Sequence, residues 1–310
     1  MKIYENTLDL TIAAPTVVAL GKFDGIHNGH MEIVKQMLQL KRRGLQTAIL
    51  TFSSALPGRT ASREQAKVLT TSKEKRKIFS ELGIDHYVEL PFDDTLMHME
   101  AERFLREILL EKLKMRAIVC GEDCSFGYRG AGNISLLREM GKAGDFDVFV
   151  TNKVYAGEEP VSSSLIRSKL SAGKIADVNA MLMRPYLFYG EVVYGRQIGR
   201  TLGMPTVNLV PEEEKLLPPS GVYYSRVTHM GQEYRAITNI GEKPTIEGKK
   251  PKAGVESYIY GFTDEIYGDH VYVSLYEYVR PEMKFDGIDA LRSKMQEDIA
   301  AGEAWHREHL

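Results

Sequence analysis

A doubly wound α/β domain followed by an antiparallel sheet or small barrel with a terminal helix is the architecture predicted for this 310-residue chain. Three observations carry that expectation. Up to about residue 183, apolar runs alternate with amphipathic stretches at helical spacing. Such alternation implies right-handed crossovers and a parallel sheet. From Arg184 onward, β-branched and aromatic runs are separated by glycine or proline turns, which is the grammar of antiparallel strands. Between them a helical run meets Pro185 in MLMRPY (181–186), so the expected domains are 1–183 and 184–310.

In the first half, TVVAL (16–20) reads as a strand buried on both faces. MEIVKQMLQLKRRG follows with apolar residues at helical spacing and ends at Gly44, a common helix stop. QTAILTF (46–52) is the next strand and SKEKRKIFSELG (72–83) the next helix. HYVELPF (86–92) precedes HMEAERFLREILLEKLK (98–114), which is expected to form one long amphipathic helix. AIVCG (117–121), NISLLREMGKAG (133–144), VFVTNKV (148–154) and the helical SSLIRSKLSAG close the series. Residues 53–66 carry no period and read as a mobile loop. In the second half the strands are YLFYGEVVY, GVYYSRV, EYRAITNI, VESYIYGF and HVYVSLYEYV, with IDALRSKMQEDIAAGEAW as the final helix.

Composition excludes several classes. With 43% hydrophobic and 26% charged residues, each half can bury an ordinary core. A formal net charge of −2 offers no basic field for bulk nucleic-acid binding. No apolar run is long enough to span a bilayer, and MKIYENTLDL lacks the pattern of a signal peptide. Cys120 and Cys124 are the only cysteines, too few for a disulfide framework or a zinc site, so a reducing cytoplasm is expected and both thiols read as packing.

Chemistry concentrates at GKFDGIHNGH (21–30), where a buried strand hands over to a helix. That edge is where open α/β sheets bind ligands. His27 and His30, three apart on a first helical turn, would point to one side. Glycines admit a ligand close to the backbone, and the free N–H groups of a helix start favour phosphate. Imidazoles there can donate hydrogen bonds to phosphate oxygens as charge builds during attack at phosphorus. A metal pair is the rival reading, but no third histidine stands nearby in sequence. In the second half, Thr206 and Asn208 of GRTLGMPTVN (199–208) alternate by two along a strand and face one side. There is no G-x-x-x-x-G-K-[ST], so a P-loop is excluded.

GKFDGIHNGH resembles the H-x-G-H signature of nucleotidylyltransferases, and most closely the G-x-F-D-G-x-H-x-G-H form of bacterial bifunctional riboflavin kinase/FAD synthetases. SSSLIR (162–167) stands in place of that family's S-S-T-x-I-R, and GEDCSFGYRGAG (121–132) in place of its glycine-rich G-x-D-F-x-F-G segment. GRTLGMPTVN is similar to the G-R-x-L-G-x-P-T-x-N signature of riboflavin kinases; NIGEKPTI (239–246), VESYIYGFTDEIYG (255–268) and VRPEMKFDGIDALRSKMQEDI follow in family order.

The resemblance implies a Rossmann-like nucleotidylyltransferase domain ahead of a riboflavin kinase barrel. It implies two reactions: riboflavin plus ATP to FMN, then FMN plus ATP to FAD and pyrophosphate, with Mg2+. It makes His27, His30 and Arg167 catalytic in adenylyl transfer, and Glu256 the base that takes the riboflavin 5′-hydroxyl proton. It places Gly21, Phe23, Asp24, Gly29, Asp123, Ser163, Ser164, Gly199 and Arg200 at nucleotide, Arg280 and Phe285 at flavin, and Thr206 and Asn208 at the metal. The partners implied are small molecules, with no nucleic acid or membrane and with a homo-oligomer left open. Three positions depart from the family: TFSSALPG (51–58) stands where many members carry Phe-x-Pro-His-Pro, Cys124 replaces an aromatic residue, and Ser164 replaces threonine. A tRNA-synthetase-like reading of the histidines lacks a following K-M-S-K-S. The remaining alternative is a chain in which one domain has lost activity, leaving a single enzyme or a flavin-binding regulator.

Overall fold

A computed structural model describes residues 1–53, 67–144, 146–195, 198–243 and 252–309. They fall into two compact units, one drawn from Met1–Ala66 and Ser72–Ser162, the other from Lys67–Thr71 and Ser163–Leu310.

The first unit contains, in chain order, β1 (Lys2–Glu5), β2 (Thr16–Leu20), α1 (Asn28–Lys41), β3 (Gln46–Phe52), α2 (Ser72–Glu81) and β4 (His86–Leu90). It continues through α3 (Asp94–Met97), α4 (Ala101–Phe104), β5 (Met115–Gly121), α5 (Ile134–Gly144), β6 (Asp147–Thr151) and the hairpin β7 (Tyr155–Ala156) and β8 (Glu159–Pro160). Six strands form a parallel sheet in the order β1-β4-β3-β2-β5-β6. β2 pairs with β3 on one side and β5 on the other, so the strand order reverses there. The crevice beyond the C-terminal end of β2 is therefore the topological switch point. Val17, Val18 and Ala19 are fully buried, as a strand covered on both faces requires.

Two features of this unit differ from the expectation. β1 is an extra edge strand with mostly exposed residues, held by its ladder to β4 rather than by an apolar face of its own. The single helix expected over 98–114 is instead the short α4 running into a π-helical stretch, Leu105–Lys112. Extended backbone at Glu100 (ψ 148°) separates α3 from α4. Leu105, Ile108 and Leu109 still face the core, so the apolar stripe holds while the hydrogen-bond register widens.

The second unit contains α6 (Ser163–Ser171), α7 (Ile175–Leu182), β9 (Tyr186–Val193), α8 (Ile198–Thr201), β10 (Thr206–Pro211), β11 (Gly221–His229), β12 (Gln232–Lys243), β13 (Lys252–Ile259), β14 (His270–Pro281) and α9 (Ile288–His309). Its six strands close into an antiparallel barrel, β10-β13-β12-β11-β14-β9. Alternation is clean on β13: Val255, Ser257 and Ile259 are buried, while Glu256 and Tyr258 are half-buried on the other face. The interior hydroxyls satisfy one another, Ser225 to Thr238 and Thr238 to Ser257, both at 2.7 Å.

Helices α6 and α7 belong to this second unit. Asn179 on α7 donates to the Leu275 carbonyl at 2.9 Å and accepts the Tyr186 N–H at 2.8 Å, tying the helix to β14 and β9. Residues 67–71 join the same unit as a strap: Val68 N–H donates to Glu214 and Leu216 N–H to Val68. The buried Lys215 ammonium donates to the Leu69 carbonyl at 2.6 Å and lies 4.2 Å from the Tyr186 ring centre.

Candidate active sites

The first site is built at the switch point. β2 ends at Leu20, and the chain passes through residues 21–27 before α1 begins at Asn28. His27 is the N-cap of α1, with extended backbone, and is buried. The i, i+3 expectation holds: the rings of His27 and His30 stack with centroids 3.8 Å apart and planes at 21°. Gly29 makes this geometry available, because a Cβ there would lie 3.2 Å from Cε1 and Nδ1 of His27. Phe23, also buried, places its ring 5.2 Å from that of His30. Asp24 is buried, and Gly21 donates its N–H to the Leu50 carbonyl at 3.1 Å. The result is a pair of imidazoles at the N-terminus of a fourteen-residue helix, in a crevice of a parallel sheet. That suits an anionic group whose charge grows during reaction.

Asp123 is exposed in the turn after β5, where Cys124 N–H donates to Gly121 at 3.1 Å. As β5 neighbours β2, this turn borders the same switch point. Cys120 is buried and Cys124 half-buried. The neighbouring Cys124 thiol lowers the Cys120 pKa, and the Cys120 thiol together with burial raises that of Cys124. Ser163, Ser164 and Arg167 lie on the first turns of α6, in the second unit, where Arg167 Nε donates to the Lys67 carbonyl at 3.4 Å.

The second site lies on the barrel. Strand register sets Asn208 of β10 directly opposite Glu256 of β13, and Asn239 of β12 opposite Glu256 on the other side. Thr206 donates its hydroxyl to Glu256 Oε1 at 2.5 Å. Asn208 is buried and packs against Gly195, where a Cβ would fall 2.4 Å from the amide nitrogen. Oxygen donors from Thr206 and Asn208, held in a cradle with no room for one more carbon, match the hard-ligand preference of Mg2+.

Thr206 and Asn208 line a cavity of about 260 Å³ together with Arg200, Phe262, Glu265, Ile266 and Tyr267. Arg200 is exposed and pairs with Glu265 at 3.1 Å, and the carbonyl of the buried Gly199 accepts the Met204 N–H at 2.8 Å. Arg280, expected at flavin, is engaged by Asp298 of α9 through Nε and Nη2 at 3.0 and 2.5 Å. Phe285 is half-buried just ahead of α9.

Sequence reasoning did not single out Asn239, or the Phe262, Ile266 and Tyr267 wall. The turn at YGFTDEIYG was a signal for that wall, since it sets aromatic residues beside the strand bearing Glu256. TFSSALPG from Ser54 on, the loop read over 53–66 beyond Ser53, and the end of NIGEKPTI lie outside the described residues.

Comparison with known proteins agrees with both halves. The family model described as FAD synthetase matches residues 10–165, and the one described as riboflavin kinase matches residues 182–306. The bifunctional riboflavin kinase/FMN adenylyltransferase of Listeria monocytogenes is 33% identical, covering 91% of this chain and 90% of its own length. That of Bacillus subtilis is 30% identical over 92% of this chain and 90% of its own. A crystal structure described as a macrolide-efflux protein from Streptococcus pneumoniae superposes with a TM-score of 0.82 at 27% identity, covering 98% of this chain and 99% of that one. Among the described residues no helix is long and apolar enough to cross a membrane. With both family models matched in order along its length, the chain belongs to the bifunctional riboflavin kinase/FMN adenylyltransferase family.

Proposed function

We propose that the barrel converts riboflavin and ATP to FMN and ADP, and that the parallel-sheet unit converts FMN and ATP to FAD and pyrophosphate. The observation that carries the first step is the register of Glu256 between Asn208 and Asn239, with the Thr206 hydroxyl fixed on its carboxylate. Glu256 takes the proton of the riboflavin 5′-hydroxyl as that oxygen bonds to the γ-phosphorus and the bond to ADP breaks. Thr206 and Asn208 would hold Mg2+, which would offset charge on the phosphates. Arg200 and Gly199 serve the nucleotide beside the cavity, and Phe285 the flavin.

In the second step a phosphate oxygen of FMN attacks the α-phosphorus of ATP and pyrophosphate leaves, with no covalent enzyme intermediate. The stacked pair His27 and His30 donates hydrogen bonds to the oxygens on which charge develops. Gly21, Phe23, Asp24, Gly29 and Asp123 shape the nucleotide side. Ser163, Ser164 and Arg167 carry donors suited to phosphate, as in the family motif they match.

Purified protein mixed with ATP, riboflavin and Mg2+, with flavins separated over time, tests both steps. FMN should appear first and FAD after it. A chain that stops at FMN, or that adenylylates added FMN but makes none, has only one of the activities.

A further inference from the structure

The histidine loop is strained, and something must hold it. Phe23 (φ 47°) and Ile26 (φ 44°) both lie in the left-handed region, flanking Gly25. A non-glycine residue is costly there and persists only where its surroundings over-determine it. The first of these strained residues, Phe23, is met by helix α2. Phe79 of α2 sets its ring edge-on to Phe23, with centroids 5.6 Å apart, and is backed in turn by Tyr87 at 6.1 Å. Lys75 stands four residues earlier on α2, hence on the same face.

Lys75 is 8% exposed, as is Asp24, the loop residue after Phe23. A buried ammonium is tolerated only beside opposite charge. Burial lowers the Lys75 pKa, and Asp24 and Glu89 are the carboxylates that most oppose this. Glu89 is itself fixed by the Ser72 hydroxyl at 2.7 Å and the Tyr87 hydroxyl at 3.3 Å. A cation set among carboxylates is suited to pinning a loop rather than to taking up phosphate.

We infer that Lys75 is a positioning residue for adenylyl transfer: with Phe79 it clamps residues 23–24 and so fixes the ring of Phe23 against the His27–His30 pair. This rests on the two histidines acting in that step. The test compares Lys75→Met, Lys75→Arg and His30→Ala singly, and Lys75→Met with His30→Ala, in the full chain, following FMN formation and FMN adenylylation separately. Lys75→Met should lower the adenylylation kcat about tenfold or more with little change in ATP KM and an unchanged rate of FMN formation, while Lys75→Arg recovers most of the loss. Added to His30→Ala, it should cost less than about threefold, because the two act through one element.

Full adenylylation by Lys75→Met alongside a damaged His30→Ala would overturn the clamp. So would equal loss of both activities, or multiplication of the two losses in the double variant. A neutral His30→Ala would instead overturn the histidine role itself. Should Lys75→Met not fold, Phe79→Leu carries the same comparison, with the same outcomes for and against.

Discussion

At the residue scale, small side chains do as much as the reactive ones. Asn208 has its position because residue 195 has no Cβ. Gly195→Ala should displace the amide and lower FMN formation by about tenfold, leaving adenylylation of supplied FMN unaffected, in steady-state assays of each step. The opposite pattern would detach Asn208 from the kinase site. A second expectation concerns TFSSALPG. In the Phe-x-Pro-His-Pro pattern that the family resemblance implies here, proline stiffens its own backbone and the residue before it. Ser53, Ser54 and Ala55 lack those prolines, and a proline-bearing sequence has less conformational entropy to lose when it binds a ligand. FMN binding for adenylylation should tighten when Pro-His-Pro is restored, read as a lower apparent KM for FMN with ATP held constant. No change would make the departure neutral.

At the element scale, the strand–turn–helix around the histidines was legible, because apolar runs, glycines and helical period agree locally at β2, α1 and β3. Alternation likewise placed Thr206 and Asn208 together on β10. What escaped were features fixed by partners far along the chain. β1 exists through its ladder to β4, and the strap 67–71 through Glu214 and Lys215. The register that sets Asn239 beside Glu256 is also a property of paired strands, not of either segment.

Helix α9 shows how burial couples an element to pH. His306 is buried, its Nε2 lies 3.0 Å from the Ala236 carbonyl, and desolvation lowers its pKa below the ordinary histidine value. His86 on β4 shifts the same way, again through burial. The unfolded state therefore binds protons first on acidification. The stability these groups contribute is complete above the unfolded value of about 6.5 and is lost as pH falls below it. The melting temperature should drop between about pH 7 and pH 5, and His306→Gln should reduce that slope. A slope unchanged by His306→Gln would place the acid sensitivity elsewhere.

At the scale of the whole molecule, the chain divides into two units whose membership does not follow it in one cut. The expected boundary at 183/184 separates β9 from α7, yet Asn179 of α7 bonds the backbone of both β9 and β14. A fragment of residues 163–310 should therefore phosphorylate riboflavin and melt higher than one of residues 184–310. Equal melting temperatures would mean α6 and α7 add nothing to the barrel.

The central claim is that one chain carries two chemically separate sites, and the most direct test is a crossed assay. Glu256→Gln and His30→Ala are each given riboflavin with ATP and, separately, FMN with ATP, and the flavins are quantified. Glu256→Gln should make no FMN yet convert supplied FMN to FAD at the unmodified rate. His30→Ala should accumulate FMN normally and make FAD on the order of a hundredfold more slowly, the usual scale for losing one donor to developing charge. Parallel loss of both reactions in either variant, or unchanged FAD synthesis in His30→Ala, would contradict the account.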